Sequence, residues 1–218
     1  MRAMTRLLTM AALLAALAAC HDAKTQAPTR ENFTAALTDY LAQRGHLCTA
    51  KYDWPIVVTD ADAKARSLDA QQMPHLEALG LVTHRDTRVA RKAADGTTTT
   101  LPAREYALSA QGQKYWLRVP VVVATPTQRV THPADLCVAT LALDRLFGWE
   151  KPQEMAGRPA TSLLFSYRIV DPAPWMRDPD ARLAFPMAVR AMDNAGVLQL
   201  RLGMHLTPDG WVADELSD

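Results

Sequence analysis

The groups in this chain with chemistry to offer are six histidines, three cysteines and 23 carboxylates, and their spacing argues against familiar catalysis. His21, His46, His75, His84, His132 and His205 are scattered, and no two stand at the helical spacing of a metal-ligand pair. The sequence contains no His-Glu-x-x-His, no Gly-x-Ser-x-Gly, no Ser-x-x-Lys and no phosphate-cradling glycine loop. His205 and Asp209 lie four apart, but they straddle a strand end and a turn, so a surface pair is expected. Asp171 and Asp178 are the carboxylates that glycoside hydrolysis would use, yet nothing in the sequence fixes the separation that mechanism needs. The chain is therefore expected not to be an enzyme and to need no cofactor and no metal.

Binding chemistry is better represented. His84, Arg85, Arg88, Arg91, Lys92 and Arg104 fall on two predicted strands, with Asp86 and Asp95 against them. Such a basic hairpin suits lipopolysaccharide phosphates, phospholipid headgroups or an acidic envelope protein; a hairpin kept soluble by charge is the plainer account. Of the five tryptophans, Trp175 stands between Pro174 and Met176 in an expected loop. It is the one best placed to anchor a ligand, although core packing is the default for most of the five and the favoured reading for Trp175 as well.

The start of the chain sets the compartment. Arg2 and Arg6 precede an apolar run from Leu7 to Ala19, and small residues close it. Residues 1–19 have the three parts of a secretory signal. As a helix the run spans roughly 20 Å, short of the ~30 Å bilayer core. Leu17-Ala18-Ala19-Cys20 resembles the lipobox of bacterial lipoproteins. That resemblance implies cleavage before Cys20 and acylation of its thiol and new amine, which is a stable anchor. His21, where plasma-membrane retention resembles Asp, favours the outer membrane, facing the periplasm, with the plasma membrane as the alternative. An ordinary signal peptide with a chance cysteine is the competing account.

With Cys20 carrying lipid, Cys48 and Cys137 remain. In an oxidising compartment an even pair reads as a disulfide. A metal site using His46 or His132, or two unpaired thiols, are the other readings. The chain from Cys20 onward has a formal charge of −1, because removing Arg2 and Arg6 leaves 22 basic against 23 acidic side chains. No global field argues for nucleic acid.

Periodicity supplies the elements. Residues 20–29 read as a tether. Thr29 is expected to cap a helix over 30–44 whose apolar face is Phe33, Ala36, Leu37, Tyr40 and Leu41, stopped by Gly45. Residues 46–58 read as extended. Asp60 to Leu79 reads as helix in two pieces, with a capping box at Asp69 and Gln72 and a staple from Leu68 to Met73. A hairpin turning at Asp95-Gly96 follows, and Ser109 caps a short helix to Trp116. Val121-Val122-Val123, Leu136–Phe147, Thr161–Val170 and residues 198–206 read as strands. Thr207-Pro208-Asp209-Gly210 turns the last into Trp211-Val212-Ala213. Residues 180–194 read as a helix interrupted near Pro186, the one helix expected to pack on that sheet.

Leu76-Glu77-Ala78-Leu79-Gly80-Leu81-Val82, the hairpin, then Tyr106-Ala107-Leu108-Ser109 and Gly112 resemble a winged-helix domain over residues 30–118. Relatives commonly bind DNA, and others bind proteins. Export puts DNA out of reach, so the resemblance implies the fold alone. Residues 31–213 are also similar to uncharacterised proteobacterial lipoproteins, through Asp53-Trp54-Pro55, Asp135-Leu136-Cys137, Trp149-Glu150, Pro174-Trp175, Phe185-Pro186 and Gly210-Trp211. That similarity implies no activity.

The expected fold class is α+β: a winged-helix-like N-terminal half followed by a small antiparallel sheet with one packed helix. The expected division is a signal peptide over 1–19, a tether over 20–29, a winged-helix-like module over 30–120 and an antiparallel α+β module over 121–218. The expected function is a non-catalytic, membrane-anchored periplasmic lipoprotein serving as a binding or envelope-associated accessory module. A small-ligand carrier with a pocket in the C-terminal half and a cell-wall enzyme of unfamiliar type are the alternatives.

Overall fold

A computed structural model describes residues 24–92 and 95–216. Its helices are α1 (Arg30–Arg44), α2 (Asp60–Lys64), α3 (Leu68–Ala78), α4 (Pro179–Ala184) and α5 (Pro186–Asp193). The early strands are β1 (His46–Cys48), β2 (Ile56–Thr59), β3 (Val82–Lys92), β4 (Thr98–Leu108), β5 (Trp116–Leu117), β6 (Val121–Ala124) and β7 (Arg129–His132). The later ones are β8 (Asp135–Trp149), β9 (Gln153–Met155), β10 (Arg158–Val170), β11 (Leu200–Thr207) and β12 (Gly210–Ala213). Strand predominates over helix, and the largest element is a seven-stranded antiparallel sheet in the order β1-β8-β10-β11-β12, with β5 on β8 and β9 on β10.

Contacts divide the chain into two units, each gathered from separated stretches. Of the described residues, the first holds those up to Gly45, Leu141–Ile169 and those from Asn194 on; the second holds those of His46–Thr140 and Val170–Asp193, and so includes both sides of position 120.

In the first unit, period-two alternation aims Leu163, Phe165, Leu202, Met204, Trp211 and Ala213 at one side of the sheet. Helix α1 covers that side with Phe33, Leu37 and Leu41, all buried. Its start is capped as the sequence predicts: Thr29 accepts a hydrogen bond from the Asn32 N–H, and Gly45 ends it. Arg30 fixes it laterally by donating to the Leu146 carbonyl at 2.6 Å.

This arrangement overturns the expected winged-helix N-terminal half. The first helix of that module would pack on the later helices and the hairpin, but the apolar face of α1 is spent on β10, β11 and β12. In the first unit, α1 is thus the helix packed on the sheet. Residues 180–194, expected in that role, form α4 and α5, which belong to the second unit.

In the second unit, β2, β4 and β3 form a three-stranded sheet in that order. Helices α2 and α3 precede the β3–β4 hairpin. Their caps differ from the expected ones. The capping box is Thr59 with Asp62, and α3 starts on Ser67, whose hydroxyl accepts from Ala70. Leu68 is left 70% exposed, so it staples nothing, and Pro74 sits inside α3. Gln72 is buried and donates to the Ala184 carbonyl at 2.8 Å, tying α3 to α4. Cys48 and Cys137 are register partners of β1 and β8 and form a disulfide. Beside them, buried Asp135 accepts from the backbone N–H groups of Lys51 at 2.7 Å and Ala50 at 3.2 Å.

Candidate functional site

Two places concentrate polar and charged groups: a groove in the first unit and a basic ribbon in the second.

The groove lies on the sheet face opposite α1. Strand register pairs Ala160 with His205 and Ser162 with Gly203, so these four residues share that face. His205 is only 2% exposed. Its Nδ1 lies 2.7 Å from Oδ1 of Asp214, which follows β12. A carboxylate only accepts, so a neutral ring donates its Nδ1–H there, and the imidazole is held in one orientation. The sequence reads His205 with Asp209 as a surface pair; the ring is instead buried and contacts Asp214.

Asp214 reaches the histidine by lying over Gly203, where any side chain would collide with it. Residue 150 is tied to β10 by two bonds: its N–H donates to the Ser162 carbonyl at 3.0 Å, and its carbonyl accepts from the Thr161 hydroxyl at 2.6 Å. The Glu150 carboxylate pairs with Arg201 at 2.6 Å. The β9–β10 hairpin, turning through Ala156 and Gly157 at positive φ, adds Lys151, Met155 and Arg158 to the rim. The groove is half open to solvent and offers a space of about 420 Å³.

The ribbon is the far end of the β3–β4 hairpin. The two strands pair over eleven positions, from Val82 with Leu108 to Lys92 with Thr98. Strand β2 supports only the near part, its last pair being Thr59 with Ala103. Beyond that point five pairs, Arg88–Pro102 to Lys92–Thr98, have no third strand beside them, although Pro102 shares a hollow with Asp60 and Ala63 of α2 and the Asp62 carboxylate interacts with Arg91. Asp95 fixes the turn by accepting from the Thr97 N–H and hydroxyl, which holds its carboxyl below the usual range.

The predicted basic residues divide along this boundary. Arg85 pairs with Glu105 at 2.7 Å, Arg104 lies 3.9 Å from Asp86, and His84 contacts Glu77. Arg88 donates to the Thr100 carbonyl at 3.3 Å. Among the described residues, Arg91 and Lys92 make no salt bridge or side-chain hydrogen bond, and both are exposed. Arg88, Arg91 and Lys92 are thus brought together on the two-stranded part of the hairpin, while Arg85 is held nearer its base.

Trp175 is not an exposed anchor. It is 7% exposed and packs edge-on against Tyr115 and Phe185, with ring centroids 6.1 and 5.8 Å away. Pro174 starts a short 3₁₀ turn that swings the indole inward, which a loop reading does not anticipate. Cys20 lies outside the described residues. No group of three or more metal-ligating side chains occurs among the described residues. No helix among them is long and apolar enough to cross a membrane.

The sequence reading passed over the groove. Its one visible signal was Gly203, a glycine inside an otherwise apolar alternating strand, which marks a close approach of other atoms to the backbone. Lys151, Arg158 and Asp214 carry no motif and meet His205 only through strand register and, for Asp214, the turn after β12. Compared with known proteins, the chain matches no family model, no curated protein and no solved structure.

Proposed function

We propose that the chain is a non-catalytic, lipid-anchored periplasmic lipoprotein that docks on an anionic envelope surface through its basic ribbon. Anchoring rests on the lipobox-like residues 17–20, with Cys20 as the lipid-bearing residue and the outer membrane as the expected leaflet. The Cys48–Cys137 disulfide suits the oxidising compartment this address implies. Nucleic acid is not among the partners.

One observation carries the docking surface: five strand pairs project beyond β2 and bear Arg88, Arg91 and Lys92, with the carboxylates of Asp95 at the turn and Asp62 near Arg91 against them. Three cations against two carboxylates leave the arm net basic, and each Lys or Arg that reaches an anionic membrane gains about 1 kcal/mol. Three such residues give a preference on the order of 100-fold at low salt.

The test is flotation of Cys20→Ser protein with vesicles of phosphatidylethanolamine, with and without phosphatidylglycerol. Binding should require phosphatidylglycerol, weaken with salt, and fall sharply in the Arg88→Gln/Arg91→Gln/Lys92→Gln variant. Equal binding by the variant overturns the ribbon as the docking surface. Anchoring is read separately: the wild-type chain should take up labelled palmitate and the Cys20→Ser chain should not.

A further inference from the structure

We propose that the groove over β10 and β11 is a binding site for a small amphiphilic anion, a molecule with one phosphate or carboxylate group and a short apolar body. The inference does not depend on the lipid anchor or the ribbon, because every residue it uses lies in the first unit.

The first argument is charge. Two carboxylates line the groove, and each already faces a cation or an imidazole. Glu150 is paired with Arg201 at 2.6 Å, and Asp214 is held by His205 at 2.7 Å. Two cations on the rim, Lys151 and Arg158, make no salt bridge among the described residues. With Arg201 counted, three cations face two carboxylates, so the groove carries a net positive charge of one. An arginine fork and a lysine ammonium are the groups suited to a phosphate or carboxylate.

The second argument is hydrogen bonding. Ser162 is half-buried on the floor between these walls, and its hydroxyl has no partner among the described residues. A hydroxyl in a groove is a ready donor to an anionic oxygen. It sits opposite Gly203, the position left without a side chain.

The third argument is shape. The space of about 420 Å³ falls in the range of small-molecule sites, and Met155, Ala156 and Ala160 give it an apolar side. Met155 is 61% exposed, an adaptable apolar surface with nothing packed over it. A bare inorganic anion would leave that side unused. The floor is fixed before any ligand arrives, since the Asp214–His205 contact and the two bonds from residue 150 to β10 hold it.

The experiment is calorimetric titration of the full Cys20→Ser chain at low salt with hexyl phosphate, hexanoate and inorganic phosphate. Hexyl phosphate or hexanoate should bind one to one, about tenfold or more tighter than inorganic phosphate, because only they reach the apolar side. The better of the two identifies the headgroup. Lys151→Gln/Arg158→Gln should weaken that binding by about tenfold or more, and Ser162→Ala by a smaller factor. All three residues lie on the rim or floor outside the α1 core, and unchanged unfolding midpoints verify the variants. The ribbon triple variant should bind like the parent. The proposal is overturned if neither amphiphile saturates at millimolar concentration, if Lys151→Gln/Arg158→Gln binds unchanged, or if affinity is lost in the ribbon variant instead.

Discussion

The Asp214 carboxylate occupies the space a side chain on Gly203 would fill: a Cβ there would stand 2.2 Å from Oδ2. The glycine is what lets Asp214 lie flat on β11 and reach His205. Gly203→Ala should push the carboxylate away and cost about 1–3 kcal/mol, the usual penalty of forced overpacking. Gly148, in β8, has nothing within 4 Å of the equivalent point, so Gly148→Ala should change stability by less than about 0.5 kcal/mol. Urea unfolding of the two variants checks this. Equal effects would mean that strand glycines are lost at equal cost whatever lies over them.

The Cys48–Cys137 bond closes a separation of 89 residues between β1 and β8. Cys48→Ser/Cys137→Ser should lower unfolding free energy by about 2–5 kcal/mol. Intact mass of the non-reduced protein should be 2 Da below that of the reduced protein, the hydrogens of one bond. A stability loss well under the lower bound would show that the β1–β8 register is held by its other bonds, such as the Thr49 hydroxyl to the Leu136 carbonyl at 2.9 Å.

How much of this was legible depends on whether the signal was local. The Thr29 cap and Gly45 stop of α1 act within a few residues, and both were readable, as were the alternating strands β10 and β11. The partner of α1 was not. Phe33, Leu37 and Leu41 declare an apolar face, but nothing in their spacing says that residues 163–211 cover it instead of the neighbouring helices. The local resemblance around Leu76–Val82 and Tyr106–Gly112 therefore pointed to a module whose first helix is used elsewhere. The ribbon was legible because charge and turn are contiguous; the groove was not, because strand register brings Ser162 and His205 to one face and the turn after β12 brings Asp214 over Gly203 to meet them.

Asp135 gives a pH signature. Burial raises its carboxyl above the usual value of 3.8, outweighing the backbone N–H bonds from Lys51, Leu136 and Ala50 and the Lys51 charge, which lower it. Between 3.8 and the raised folded-state value, the native protein keeps a proton that the unfolded chain has released. This group's contribution to stability therefore falls as pH rises through that window and is flat above it. Asp135→Asn removes the titration. The stability of wild type minus that of the variant, from urea midpoints at pH 3 to 7, should decline with pH and then level. A difference that climbs with pH would mean the hydrogen bonds to the carboxylate outweigh its burial.

Phe33 sits at the centre of the contact between α1 and the sheet of the first unit. Its ring is fully buried and tilted against Trp149 and Trp211, with centroids 5.0 and 4.9 Å away. Phe33→Ala removes a ring from between two indoles and should cost about 3–5 kcal/mol. Phe33→Leu keeps most of the apolar volume and loses the ring contacts, so a smaller cost, of about 0.5–1.5 kcal/mol for the aromatic geometry, is expected. Leu183 tests the competing placement. It lies in the 180–194 segment that the sequence put over this sheet, yet it is 77% exposed. Leu183→Ala should therefore shift unfolding by less than about 0.5 kcal/mol. Tryptophan fluorescence follows both variants, since Trp149 and Trp211 report on the same core. A large cost at Leu183 together with a small one at Phe33 would return the 180–194 segment to the sheet and displace α1 from it.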